Sequence, residues 1–438
     1  MTNQLQFNMT FPKFYFDRSF TFESGLHVIY GESGSGKSAL INQILELEKG
    51  QEYFHLTNIN RPEEFQKVFQ NPDTQIISST LGGELAFSLE CRSNDQEYIS
   101  TKLASLKEKL FFECAEHRHP ATLSGGEKEM LNIVTAFSVN PQLLLIDDGL
   151  SFLNVNGKQN MLGYIHNQIV ETNCIVLWLT SDCNDLQFGK TQWELSLSSF
   201  NEWNGNISPL PAVKHKSQSN EITIACHDLF FSYNGDRDLF NAFNMKIDDF
   251  RALGITGSNG CGKTTLAKLL LHIERSESGS ITLTKAGEKA AMAYLEQFPE
   301  KMIGADSLDT FVQRLVMAGK LDKYKINHAV KNLKNCQLEW EQIRYKTALD
   351  LPWSTLRVVL TIWLLNSEYD LLILDEPTFG LGRQQVLTLT HHLRLYLKNK
   401  HLIIISHDTE FIYTFCDRVF EMDQHTIITE KNNITSNG

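Results

Sequence analysis

The sequence predicts an α/β protein built twice. Each copy has a mainly parallel sheet carrying a phosphate-binding loop, with an antiparallel β subdomain and a helical subdomain attached. Three observations predict this. A short apolar run, Ala252–Thr256, passes directly into a glycine-rich loop: Gly257, Ser258, Asn259, Gly260, Cys261, Gly262, Lys263, Thr264 and Thr265. A helical pattern follows at Leu266–Leu271. The same order occurs at His27–Tyr30, where Gly31, Glu32, Ser33, Gly34, Ser35, Gly36, Lys37 and Ser38 open into Ala39–Leu45. Finally, fully apolar runs ending in carboxylates recur at Leu143–Asp148 and Leu371–Glu376, as expected of strands buried on both faces of a parallel sheet. The two loops lie 226 positions apart (Gly31 to Gly257), so the chain reads as an internal duplication.

The spacing G-x-x-x-x-G-K-[ST] turns successive backbone N–H groups toward one concavity at a helix N-terminus, where a phosphate fits. In the second loop Lys263 reaches the β- and γ-phosphates and the Thr264 hydroxyl holds Mg²⁺; Lys37 and Ser38 are their counterparts in the first. The bulk composition agrees with a globular protein with real cores. The 438 residues are 42% hydrophobic and 21% charged, which allows two or three packed domains. The net charge of -12 makes a polyanion-binding surface a poor default. The 8 cysteines form no C-x-x-C pair, so neither a zinc site nor a disulfide framework is indicated, and reduced thiols fit. The opening residues do not read as a signal peptide, and no apolar run reaches the ~18–20 residues of a spanning helix.

In chain order, Leu5 to Phe22 alternates apolar with polar residues and predicts a hairpin or small antiparallel sheet. After the first loop, Val68-Phe-Gln70 and the turn Asn71-Pro-Asp73 read as a strand whose glutamine either leaves the sheet edge toward a bound metal or water or is a turn residue with no chemical role. Residues Glu84–Glu116 are helical in pattern, with Leu103, Leu106 and Leu110 on one face. Ser124, Gly125 and Gly126 precede an amphipathic helix at Lys128–Val139. They form either an anion-facing set of N–H groups with a hydroxyl, or an ordinary serine N-cap. The strand Leu143–Asp147 ends in Asp147 and Asp148, and Ile175–Thr180 is a further buried strand leading to Ser181 and Asp182. Residues Asn204–Asn220 are rich in Gly, Ser, Pro, Asn and Lys and read as the linker between domains 1–203 and 221–438. The second half repeats the order: a strand Ile222–Tyr233, the loop, Gln297, a helical stretch Asp306–Gln342, Leu351–Thr355, the run ending in Asp375 and Glu376, and Leu402–Ile405 ahead of His407. Tyr233 is either an aromatic that stacks on an adenine or simply a sheet residue.

With these motifs in order, each half resembles an ABC-type ATPase domain, a P-loop NTPase with a RecA-like core and a helical signature subdomain. Within that superfamily, Phe69, Gln70, Asn71, Pro72, Asp73, Gln75 and Ile76, with His117, Arg118 and Pro120, resemble the energy-coupling factor and cobalt-type importer ATPases. The resemblance implies ATP and Mg²⁺ as cofactors and a head-to-tail pairing in which the phosphate loop of one unit works with the signature of the other. It further implies a membrane T component and a substrate-binding S component as partners, no nucleic acid, and a peripheral position on the cytoplasmic face of the membrane.

On this reading the spans Leu123–Asp147 and Leu351–Asp375 are equal, so Leu351-Pro-Trp-Ser-Thr355 stands where the first half has Leu123-Ser-Gly-Gly-Glu127. One site has every role filled. Lys263, Gln297, Asp375, Glu376 and His407 are joined by Ser124, Gly125 and Gly126, with Thr264, Gln297 and Asp375 around Mg²⁺, and Glu376 orienting or deprotonating the attacking water. The other site keeps its loop, Gln70 and Asp147, with Ser38 and Gln70 toward Mg²⁺. However, Asp148 stands where Glu is expected, Ser181 where His is expected, and Pro352 and Trp353 in the signature. That site either binds ATP and hydrolyses it slowly, or has drifted while staying weakly active. The loops ending at Asn154 and Gly382 lack the family's terminal Asp. Cys261 predicts nucleotide-protectable inactivation by thiol reagents, unless burial makes it inert. The leading functional expectation is the fused ATPase subunit of an importer. The alternatives are a tandem ATPase acting on ribosomes or nucleic acid, and a nucleotide sensor without turnover.

Overall fold

A computed structural model of the protein describes residues 4–14, 16–47, 53–92, 95–112, 115–153, 155–205, 210, 222–233, 237–258, 260–398, 400–424 and 426–428. The expected linker 204–220 lies outside the described residues except for 204, 205 and 210, and Asn154 and Asn259 also lie outside them. The chain divides into two compact units. The first comprises Met1–Ile207 with Gly380–Arg383, and the second comprises Ser208–Phe379 with Gln384–Gly438.

In the first unit a six-stranded sheet runs in the order Phe65–Val68, Leu143–Asp147, Ile175–Thr180, Gly25–Tyr30, Thr191–Leu195, Phe200–Glu202. Every pair is parallel except the last, which is antiparallel. Three of these strands are buried at every residue, which explains their largely apolar sequences: helices cover one face, and the helix Lys37–Ile44 with the antiparallel sheet covers the other. A three-stranded antiparallel sheet packs beside it, with Gln4–Phe11 between Phe16–Glu23 and His55–Asn60. The alternation seen in the sequence is the alternation of its faces. Leu5, Phe7, Met9 and Phe11 point inward with Phe20 and Phe22, and their neighbours face solvent.

The second unit repeats the topology. Its six strands run Met292–Leu295, Leu371–Asp375, His401–Ile405, Ala252–Thr256, Arg418–Glu421, Thr426–Ile428, again parallel until the final antiparallel pair. The flanking antiparallel sheet has four strands, Arg237–Asp248, Ile222–Tyr233, Ser278–Lys285 and Glu288–Lys289.

The stretches expected to be helical are so, but in shorter pieces. Residues Glu84–Glu116 resolve into Leu81–Glu90 and Gln96–Lys107, because Asp95 caps a new helix by accepting the Tyr98 N–H. Residues Asp306–Gln342 form Leu308–Met317 and Lys323–Asn335, and a short helix Trp340–Ile343. The signature helix begins earlier than the apolar pattern implied, at Gly125, and ends at Phe137.

This topology positions the site. In each sheet the strand entering the phosphate loop and the strand ending in carboxylates are separated by one strand, the one leading to Ser181 or His407. Parallel strands end at the same edge, so all three sets of polar residues emerge together, where ligands bind in open α/β sheets. The register makes the halves superimposable by residue. Asp147 pairs with Leu179 and Asp375 with Ile405, so Ser181 holds the place of His407. Trp178 anchors the first sheet: its ring is fully buried and its indole Nε1 donates to the Gly149 carbonyl at 2.9 Å. Trp178→Ala is expected to cost about 3–5 kcal/mol, read as a lower urea midpoint for the first unit's unfolding.

Candidate functional site

Both phosphate loops leave their strand and enter a helix through a glycine in the left-handed conformation. Gly36 has φ 96° and Gly262 φ 102°. A Cβ at either would also meet an aromatic ring, Phe54 at 2.7 Å or Phe240 at 2.9 Å, so glycine is required on both grounds. The lysine folds back across its own loop. Lys263 Nζ donates to the Gly257 carbonyl at 2.7 Å and the Ser258 carbonyl at 2.9 Å, and Lys37 Nζ to Gly31 at 2.7 Å and Glu32 at 3.2 Å. The ammonium therefore lies within the loop's curve, where a phosphate would meet it.

In the second unit, Thr264 Oγ1 donates to Asp375 Oδ2 at 2.7 Å, and the Tyr294 hydroxyl donates to the same oxygen at 3.0 Å. Asp375 is fully buried. Desolvation, with the charge of Glu376, pushes its carboxyl up to about 6, against the hydrogen bonds from Thr264 and Tyr294. A hydroxyl and a carboxylate, hard oxygen donors placed together beside a phosphate loop, suit Mg²⁺, which takes few protein ligands and completes its shell with phosphate and water. Gln297 lies just beyond the edge strand Met292–Leu295.

Glu376 follows Asp375 with φ 51°, in the left-handed region. Its Oε2 accepts the Ser406 hydroxyl at 2.7 Å, and its Oε1 accepts the His407 N–H at 3.2 Å and meets His407 Nδ1 at 2.7 Å. Burial acts to raise the Glu376 carboxyl, but the charge of His407 and the hydrogen bonds from His407 and Ser406 outweigh it and hold it low. The His407 imidazole is raised in turn, first by Glu376's charge. The pair is thus a buried carboxylate and an imidazole that favours its cationic form.

The first unit has the same backbone and different chemistry. Ser38 bonds Asp147, whose carboxyl is raised by burial. Asp148 also lies in the left-handed region, with φ 54°. Its N–H donates to Leu179 O at 2.8 Å, as Glu376's does to Ile405 O at 2.8 Å. Its carboxylate is engaged at both oxygens, as that of Glu376 is, but by neutral partners: the Ser181 N–H at 2.8 Å, the Ser181 hydroxyl at 2.6 Å and Gln70 Nε2 at 3.2 Å. Asp148 is shorter than glutamate and also tied to the residue in the histidine's place and to the Gln loop.

Ser124 caps the helix Gly125–Phe137. Its hydroxyl accepts the Glu127 N–H at 3.3 Å while its own N–H donates to Glu127 Oε2 at 2.7 Å, a capping box. Gly125 lies against Phe152, which a Cβ would meet at 2.8 Å. At the matching place in the second unit, Pro352 is an N-cap with no side-chain hydrogen bond, and the Trp353 ring packs against Phe298 (5.7 Å) and Phe379 (6.5 Å). Tyr233 ends its strand 45% exposed, with its hydroxyl 3.3 Å from Thr265 Oγ1, so a ring face is open beside the phosphate loop. Burial raises the Cys261 thiol, which favours the inert reading over ready modification.

Sequence reasoning missed Tyr294, Ser406 and Arg357. The first two are ordinary residues whose roles appear only through contacts made across the sheet. Arg357 had a visible signal: it is the one charged residue in the helix Trp353–Leu365. It is 1% exposed, donates to the backbone carbonyl of Glu376 and, at 2.7 Å, to that of Gln297, and burial lowers it to about 10.

Strand–loop–helix, a carboxylate strand two places away and a polar switch residue on the strand between them, present in both sheets, define a tandem P-loop ATPase. The model of the ABC transporter family matches residues 16–151 and 240–379, more than half the sequence, and the chain belongs to that family. It therefore binds ATP with Mg²⁺ and carries ATP-hydrolysing domains. Relatives described as putative ABC transporter ATP-binding proteins include one from Streptococcus mutans (25% identical, covering 93% of this chain and 86% of the relative) and one from Methanosarcina acetivorans (25%, 92% and 80%). Solved chains of similar fold include an RNase-L inhibitor (TM-score 0.62, 17% identity, 91% of this chain and 84% of that one). Two others are an archaeal ribosome recycling factor in complex with a ribosomal stalk protein (0.60, 17%, 91% and 83%) and a chain from ribosome-bound archaeal Pelota and ABCE1 (0.68, 17%, 91% and 72%).

These findings correct the partner expectation. The importer resemblance implied membrane T and S components and no nucleic acid. The solved proteins matched over nine-tenths of the chain are instead described with a ribosomal stalk protein, with Pelota and with the ribosome. Among the described residues no helix is long and apolar enough to cross a membrane.

The geometry predicts unequal mutants. Glu376→Gln is expected to abolish ATP turnover, and Asp148→Asn to change it by less than about twofold, because removing a positioned base costs ~10²–10⁴-fold. Asp148→Glu is expected to leave the first unit slow, since Ser181 cannot replace imidazole. Steady-state phosphate release measures all three, and equal effects of the first two would refute the asymmetry.

Proposed function

We propose that the protein is an asymmetric tandem ATPase in which the second unit hydrolyses ATP and the first binds it with slow turnover or none. The observation that carries this is the contrast between Glu376, held by Ser406 and the imidazole of His407, and Asp148, one methylene shorter and held by Ser181 and Gln70 with no imidazole. In the second unit Lys263 holds the β- and γ-phosphates, Tyr233 stacks on the base, and Thr264, Asp375 and Gln297 hold Mg²⁺, which supplies neutralisation of phosphate charge. Glu376 orients the attacking water and takes its proton. His407 points Nδ1 at Glu376 and so leaves Nε2 to donate to the γ-phosphate. Ser124 and the N–H groups of Gly125 and Gly126 are assigned, on the family resemblance, to stabilising charge on the transferring phosphoryl. In the first unit Gly31–Ser38, Gln70 and Asp147 bind the second nucleotide.

We infer further that the cycle acts on a ribosome or nucleic acid. Support comes from the solved proteins whose tandem architecture matches over most of the chain and which are described with ribosomal components. A second reading, ATP-driven transport at the cytoplasmic face of a membrane, is supported by the descriptions of the full-length relatives. Glu376→Gln chain held with ATP separates them. Co-sedimentation with ribosomes through a sucrose cushion at physiological salt is expected on the first reading, and its absence together with recovery in the membrane pellet would overturn that reading in favour of the second.

A further inference from the structure

The signature helix of the second unit has lost the features that would clamp a phosphate, yet it remains wired to the catalytic machinery. Pro352 offers no hydroxyl and Trp353 fills the place of glycine. One turn further, Arg357 reaches two backbone carbonyls from different loops. One of its amino groups donates to Glu376 O, and the other to Gln297 O at 2.7 Å. Its guanidinium lies 5.3 Å from the Phe379 ring, which also packs against Trp353. Trp353 packs in turn against Phe298, the residue after Gln297.

The two carbonyls belong to the residues whose placement matters most. Glu376 sits at φ 51°, a conformation that is strained for a residue with a Cβ and persists only when its surroundings impose it. Gln297 lies in a loop outside regular structure. A planar guanidinium with two parallel donors can hold both at once, whereas a lysine ammonium on a single stem cannot match that fork. The equal spans put Glu129 at the corresponding place in the first unit. There the polarity is reversed: the carboxylate accepts the Ser151 N–H (3.1 Å), the Ser151 hydroxyl (3.3 Å) and the Phe152 N–H (2.9 Å), so it grips the segment after Asp148 rather than Asp148 itself. Direct attachment of this helix position to the carboxylate's own backbone is thus specific to the unit with the complete catalytic set.

We propose that Arg357 is a positioning residue for hydrolysis, fixing the backbone of Glu376 and of Gln297 so that base and Gln loop keep a fixed separation. This rests on the reading of Glu376 as the base. In that role Arg357 contributes nothing to ATP affinity and acts on the chemical step. A displacement of about 1 Å in a catalytic group can lower turnover ~10²-fold.

Arg357→Gln and Arg357→Met are expected to lower kcat ~10–100-fold while the dissociation constant of a fluorescent ATP analogue and the thermal unfolding midpoint stay near wild type, and the Mg²⁺ concentration giving half-maximal rate rises. Arg357→Lys, retaining charge and one donor head, is expected to fall between. In a Glu376→Gln background, single-turnover rates are expected to fall little further on adding Arg357→Gln, because both changes remove the same function. Wild-type kcat in Arg357→Gln, or equal losses of ATP affinity and folding in all three variants, would overturn the proposal. Should Arg357→Met fail to fold, the lysine variant and the double-mutant comparison still decide it. If Glu376→Gln alone left turnover intact, the assignment of the base would have failed instead, which is a separate result.

Discussion

The hydrogen bond from Thr264 to Asp375 joins two elements that are not neighbours in the sheet. One is the first turn of the helix after the phosphate loop, and the other is the end of the carboxylate strand, with the strand leading to His407 between them. The bond is possible because all three elements emerge at the same edge of a parallel sheet. It brings a hydroxyl and a carboxylate, the hard oxygen donors that suit Mg²⁺, to the rim of the phosphate loop, and chain connectivity then delivers Glu376 one residue later. Burial raises the Asp375 carboxyl to about 6, so the hydrogen bonds from Thr264 and Tyr294 help keep it ionised in a site that would otherwise favour the acid.

The two units show how one backbone can support unequal chemistry. Both residues after the carboxylate strand are left-handed, both donate their N–H to the same position of the next strand, and both have a carboxylate facing the residue in the switch position. With a histidine there, the carboxylate gains a partner that favours its charged form and is itself favoured as a cation. With a serine there, the partner is neutral and short, and Gln70 closes the arrangement. A substitution at the switch position therefore changes the electrostatics of the neighbouring carboxylate as well as the group at that position. The departures at Asp148 and Ser181 are one coupled change.

The signature helices diverge in the same sense. Ser124 caps its helix through a capping box with Glu127, and Gly125 packs flush against Phe152. Pro352 and Trp353 replace this with an uncapped start and an aromatic cluster, and the helix turns to holding loops of its own unit through Arg357. A cation buried to this degree carries a heavy desolvation cost, which carbonyl dipoles and a ring face offset. Retaining it there is understandable if it keeps the strained Glu376 backbone in place.

Much of this was legible beforehand because its causes are local. The G-x-x-x-x-G-K-[ST] loops, the strands whose unbroken apolar runs require burial on both faces, the hairpin alternation of Leu5–Phe22 and the duplication all follow from periodicity and from glycine's freedom at Gly36 and Gly262. The identities of Asp148, Ser181, Pro352 and Trp353 were equally visible. Helix boundaries were less so: a cap such as Asp95 divides a pattern that periodicity alone runs together. What the sequence by itself determined was the set of chemical groups and their order along the chain. Only the tertiary structure decided which of them meet, because Tyr294 reaching Asp375, Ser406 reaching Glu376, Gln70 reaching Asp148 and Arg357 reaching two carbonyls depend on strand order and register, and these are set by how the sheet assembles from segments distant in the chain.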